Sequence, residues 1–169
     1  MISEDSVRRL VLCRYLYLLA EENSKAGTEV AGGASINLLH DSLELFLLVL
    51  AGHLNCKVKQ RTDFPNYIDI LDEKLGDAGL PNRSTLLEVN RARIRSKHDG
   101  LPPDSNIVKG YIGLVRAFFT DTAAKYLEVD FWSISLIFAL EDRESKKYLE
   151  KAHSDLMAAN WVEVLVELR

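Results

Sequence analysis

Apolar residues recur at three- and four-residue steps along most of this chain, the spacing of one face of an α-helix. Ser3 or Ser6 is placed to cap a first helix reaching about residue 22. Its buried stripe would be Val7, Leu10, Val11, Tyr15 and Leu18. Three glycines among polar residues make 23–33 a predicted loop. The next helix, over about 34–54, is the most apolar. Ile36, Leu39, Leu43, Phe46, Leu47 and Leu50 share one face, widened by Leu38, Leu45, Leu48 and Val49, which places it at the centre of a bundle. Asn37, His40, Asp41 and Glu44 interrupt it and fall on one narrow polar strip.

A basic, polar connection over 57–63 follows, and Pro65 suits the first turn of a short helix ending near Gly76. Leu80-Pro81-Asn82 is a break, after which Asn82 or Ser84 caps a fourth helix to about residue 97. Asp99-Gly100-Leu101-Pro102-Pro103 is the strongest stop in the chain. Asp104 or Ser105 then caps a fifth helix to about residue 129, carrying Ile107, Tyr111, Leu114, Val115, Phe118 and Phe119 inward. No stretch alternates apolar and polar positions between turn clusters, so strands are not expected. The fold class is all-α, a multi-helix bundle of six or seven helices in all, with the bundle itself over 1–130.

The last forty residues differ. A short apolar segment covers 132–140, and a charged amphipathic helix over 143–159 carries Leu149, Ala152, Leu156 and Met157 on one face. Asn160 caps a last helix that stops in mid-pattern at Arg169. Residues 131–169 therefore read as a C-terminal helix-turn-helix extension resembling half of a helical repeat. Three expectations stand for it: a truncated segment of a longer protein, an end that docks on a protein partner, or an ordinary frayed terminus.

Composition adds limits. The chain has 169 residues, 47% of them apolar, with a net charge of -4 and a mean hydropathy of -0.05. Those values suit a globular protein and leave nucleic-acid binding to a local surface. Cys13 and Cys56 are the only cysteines, too few for a disulfide framework or an unaided zinc site. The opening Met1-Ile2-Ser3-Glu4-Asp5 lacks the basic start of a secretory signal, and the longest apolar run, 45–52, is short for a bilayer span. The expectation is a cytoplasmic protein without a membrane partner.

Most catalytic motifs are missing: no glycine-rich phosphate loop, His-Glu-x-x-His, Cys-x-x-Cys or Gly-x-Ser-x-Gly occurs. One segment stands out by charge. Between 83 and 98 lie Arg83, Arg91, Arg93, Arg95 and Lys97 against a single acid, Glu88. A solvated helix end, where cations are favoured by the macrodipole, is the plain explanation. On an ideal helix, however, Arg91, Arg95 and His98 share a face, with Arg93 about 140° round from His98. Guanidinium groups beside an imidazole make a candidate phosphate site, the arginines supplying fixed charge and the histidine moving protons.

The run Asn90-Arg91-Ala92-Arg93-Ile94-Arg95-Ser96-Lys97-His98-Asp99-Gly100 resembles the HEPN superfamily, all-helical proteins with an arginine, four to six residues, then a histidine near a helix end. Its place after the apolar second helix, the Lys97-His98-Asp99-Gly100-Leu101-Pro102-Pro103 ending and the long following helix are similar too. The resemblance spans roughly residues 5–130. It implies a metal-independent ribonuclease of toxin–antitoxin or antiphage type, without cofactor, working as a homodimer through the motif helix. Arg93, or alternatively Arg91, would be the motif arginine and His98 the motif histidine. Arg91, Arg95, Lys97 and the strip His40, Asp41 and Glu44 would bind RNA or line the cleft. Ile94 stands where active members often have Asn, Asp or His, and Gly100 where one toxin subgroup has a modified tyrosine. A catalytically inactive module that binds nucleotides or regulates a partner, and a plain helical scaffold, remain the rival expectations.

Overall fold

The structure, a computed structural model, describes residues 2–59, 61–135, 137 and 143–158. Six α-helices follow in order: α1 (Glu4–Lys25), α2 (Glu29–His53), α3 (Phe64–Leu75), α4 (Arg83–His98), α5 (Ser105–Thr122) and α6 (Arg143–Met157). Of the described residues 80% are helical and none lies in a strand, an all-α multi-helix bundle. Two compact units divide it, Met1–Ile134 and Ser135–Arg169. In the second, the described helix is α6, in which Ala152 is buried and Leu156 exposed. The helix expected over 161–169 lies outside the described residues.

Central in the first unit is α2. Ile36, Leu39, Leu43, Phe46, Leu47 and Leu50 are all buried, as the spacing predicts. The helix is long and apolar enough to pass for a membrane span by composition alone, yet 61% of that window is buried inside the protein. Packed on it are α1, α4 and α5. Phe46 meets Phe118, Phe119 and Phe131 at ring-centroid distances of 5.4, 4.8 and 5.8 Å. That aromatic nucleus ties α2 to α5 and to the short turn Phe131–Ser133.

Three local expectations change. The predicted glycine loop shrinks to 26–28, because Thr28 accepts a hydrogen bond from the Ala31 amide and starts α2 early. Only Gly27 needs the left-handed backbone (φ +69°). Gly32 and Gly33 serve packing instead. A side chain at Gly32 would come within 3.0 Å of the Pro103 carbonyl, and one at Gly33 within 3.1 Å of Ser96 Oγ.

The buried stripe of α1 is Leu10, Cys13, Tyr17, Ala20 and Ser24, joined by Val11, while Tyr15 is exposed. Residues 10–19 are apolar on nearly every side, so spacing alone left the phase open, and small Cys13 and Ala20 let α2 approach. On α5 the inward row is Val108, Ile112, Val115, Phe118, Phe119 and Thr122. Ile107 and Leu114, expected inward, are about half exposed and Tyr111 is half-buried. They form the neighbouring row, about 100° round. The helix then ends at Thr122 in a π-helical turn, Ala123–Leu127, and Glu128 adopts the left-handed conformation that stops it.

Candidate functional site

Both sides of α4 carry polar chemistry, and they differ in burial. The inner side presents Leu86, Val89, Asn90 and Ala92, all buried. Register against α2 follows from two contacts, His40 with Asn90 and Gly33 with Ser96, which make the two helices antiparallel. Between those contacts lie Asn37 on α2 and Arg93 on α4. The Asn37 Nδ2 donates to the Gly33 carbonyl, while its buried Oδ1 has no partner among the described residues. Arg93 is half-buried.

Arg91, Arg95, Lys97 and His98 are all exposed, with Lys97 about 100° round from His98. None of these four, nor Arg93, forms an ion pair among the described residues. Arg83, pooled with them by charge, belongs elsewhere. Its Nη2 lies 2.5 Å from Asp69 Oδ1 and its Nε 2.6 Å from Asp72 Oδ2, both acids coming from α3. Those carboxylates hold the Arg83 pKa above its ordinary value. The unpaired set is therefore four cations and a histidine in the last two turns of α4. Glu88, Arg91, Ile94 and Arg95 line a shallow groove with Tyr111 of α5.

Helix regularity fixes which of these side chains can converge. α4 runs unbroken to His98. The Asp99 and Leu101 amides both return to the Arg95 carbonyl, and Gly100 takes φ +67°. The last turn is thus closed rather than unwound. On this helix Arg91 lies about 20° and Arg95 about 60° round from His98, whereas Arg93 lies about 140° away, toward α2. One face groups Arg91, Arg95 and His98, and leaves Arg93 off it.

The α2 strip splits as well. Asp41 and Glu44 are exposed, 54% and 53% at the side chain, but His40 is buried at 2%. Its ring packs on Phe64 at 4.6 Å between centroids and its Nε2 lies 3.0 Å from Asn90 Oδ1. His40 is thus neither solvated nor turned to an arginine. Asn90 is the residue that sequence reasoning missed. Its signal was a polar side chain inside the buried row Leu86, Val89 and Ala92. His53 and His153 are exposed, as lone helical histidines usually are.

These features define an all-helical protein with an unpaired basic helix face and a separate buried histidine–asparagine pair. No family model, curated protein or solved structure matches the chain.

Proposed function

We propose that this chain is a HEPN-like, RNA-binding protein of bacterial defence or toxin type, acting in the cytoplasm as a homodimer through α4. The observation that carries the reading is the unpaired face Arg91, Arg95 and His98, flanked by Lys97. Guanidinium groups without carboxylate partners bind phosphate by bidentate, charge-assisted hydrogen bonds. Tyr111 and Ile94 beside them offer apolar and aromatic surface for a base to stack on. Exposed Ile94, Ile107 and Leu114 supply an apolar surface for a second copy.

As a ribonuclease, His98 would take the proton of the ribose 2′-hydroxyl or return one to the leaving 5′-oxygen. An arginine would stabilise the charge on the pentacoordinate phosphate. The products are a 2′,3′-cyclic phosphate and a free 5′-hydroxyl. One imidazole cannot serve both sides of the phosphorus, so the second copy brings the other. No metal enters this chemistry.

A binding module without turnover is the second reading. It is favoured by the divergence of Arg93 from His98 on a closed helix and by Ile94 after the motif arginine. Incubation of the protein with single-stranded RNA in EDTA separates the two. Cleavage that disappears in His98→Ala supports the ribonuclease. Binding without cleavage, weakened by Arg91→Ala and by salt, supports the module. Neither binding nor cleavage removes both and leaves a helical scaffold.

A further inference from the structure

His40, Asp41 and Glu44 converge outside the basic face. Each offers one ligand atom, and the three atoms lie within 4.8 Å of one another. His40 Nδ1 stands 3.9 Å from Asp41 Oδ1 and 3.9 Å from Glu44 Oε1. These distances exceed hydrogen-bonding range, and among the described residues the buried Nδ1 has no partner.

The other ring nitrogen explains what Nδ1 can do. Asn90 Oδ1 can only accept, so the contact at 3.0 Å is a hydrogen bond in the tautomer that carries the hydrogen on His40 Nε2. A neutral ring in that tautomer leaves a lone pair on Nδ1, with one oxygen of Asp41 and one of Glu44 each 3.9 Å away. The two carboxylates are solvated, but the buried lone pair has no hydrogen to accept, and a cation held between it and the carboxylates would satisfy it. The ring cannot turn away, because Phe64 packs on its face and Asn90 holds its far edge. A histidine oriented in this way by a hydrogen bond on its second nitrogen is the usual arrangement behind a metal ligand.

We infer that His40 Nδ1, Asp41 and Glu44 form a binding site for a divalent transition-metal ion, with Asn90 as the positioning residue for the imidazole. One nitrogen and two carboxylate oxygens match zinc or its first-row neighbours rather than calcium or magnesium, which prefer oxygen alone. Bonds of about 2.1 Å place tetrahedral ligand atoms ~3.4 Å apart. The exposed carboxylate arms close that difference by rotamer adjustment while the histidine stays fixed. Three protein ligands leave at least one position open to solvent. Beside it, Glu44, Leu47, Leu48, Thr62, Phe64 and Tyr67 line a cavity of about 190 Å³. The site is independent of the α4 basic face, whose proposed chemistry uses no metal.

Titration of the metal-free protein with Zn²⁺ alone, followed by calorimetry and thermal unfolding, tests the inference. One ion should bind per chain, and at a hundredfold excess over Kd the Tm should rise by ~5–10 °C. Co²⁺ should give a visible absorption band that Zn²⁺ displaces. Asp41→Asn and Glu44→Gln are exposed changes that keep the fold, and each should weaken Zn²⁺ binding at least tenfold. Asn90→Ala should weaken it by ~10–100-fold, as loss of an outer partner does. His53→Ala, remote in the helix, should leave it unchanged. Millimolar binding only, or binding that survives Asp41→Asn and Glu44→Gln together, overturns the site.

Discussion

The two sides of α4 treat their polar groups in opposite ways. On the inner side two polar side chains are placed by neighbours: Asn90 meets His40, and Ser96 fills the notch left by Gly33. The exposed Arg91, Arg95, Lys97 and His98 form no ion pair among the described residues. Arg83, one helix length away, shows that the fold supplies acids where it wants cations neutralised. The contrast separates positions that hold the bundle together from positions left available to an anion. Buried polar groups must be satisfied within the protein, whereas exposed cations are satisfied by water until something better arrives.

The largest effect should come from the inner side. Leu86→Ala removes a fully buried side chain and should cost about 2–5 kcal/mol in urea unfolding. Ile94→Ala, on a residue 41% exposed, should stay within about 0.5 kcal/mol. Equal costs would show that the two sides are not distinct. Gly33→Val drives a side chain against Ser96 and Pro102 and should cost about 1–3 kcal/mol. Gly52, with nothing within 4 Å of its added Cβ, should instead gain about 0.4–1 kcal/mol as Gly52→Ala. Next, Asn90→Leu strands the buried His40 Nε2 and should lose about 1–3 kcal/mol while leaving RNA affinity unchanged.

On the outer face the expected change lies in binding. Arg91→Ala with Arg95→Ala should leave the urea midpoint in place. It should also flatten the salt dependence of single-stranded RNA binding by about 1.4 in log–log slope, ~0.7 for each lost phosphate contact. An unchanged slope would mean that these arginines do not touch the backbone.

The thiols extend the contrast between buried and accessible groups with the smallest readout. Burial pushes the Cys13 thiol up to about 12, and its Sγ donates to the Ser42 carbonyl at 3.2 Å. A thiol reagent near pH 8 should therefore label Cys56 first and reach Cys13 only on unfolding. Because the folded state holds this proton more tightly, its contribution is complete below pH 9. It is then lost as pH rises toward 12, at about 1.4 kcal/mol per unit.

Much of the bundle was legible from the chain. The 3.6-residue period of α2 identified the row Ile36, Leu39, Leu43, Phe46, Leu47 and Leu50 as buried, since six large apolar residues on one stripe have only one way to leave water, whereas Leu48, assigned to the widened face, is exposed. Pro65, Gly76 and the Asp99-to-Pro103 stop marked helix ends, because backbone conformation there depends on the residue itself. The cations of α4 were visible as a charge run.

What the chain could not announce was decided by packing. Gly32 and Gly33 read as loop because a glycine's lack of a side chain serves a turn and a close helix crossing equally, and only the approach of Pro103 and Ser96 chooses between them. Two adjacent apolar rows on α5 carried the same periodicity, and contact with Phe46 selected which one turned inward. His40 looked like one member of a solvated strip until Asn90, fifty residues further on, was brought against it. Local spacing sets which residues share a helix face. The partner across that face is set by how the helices pack, a long-range property that no single helix encodes.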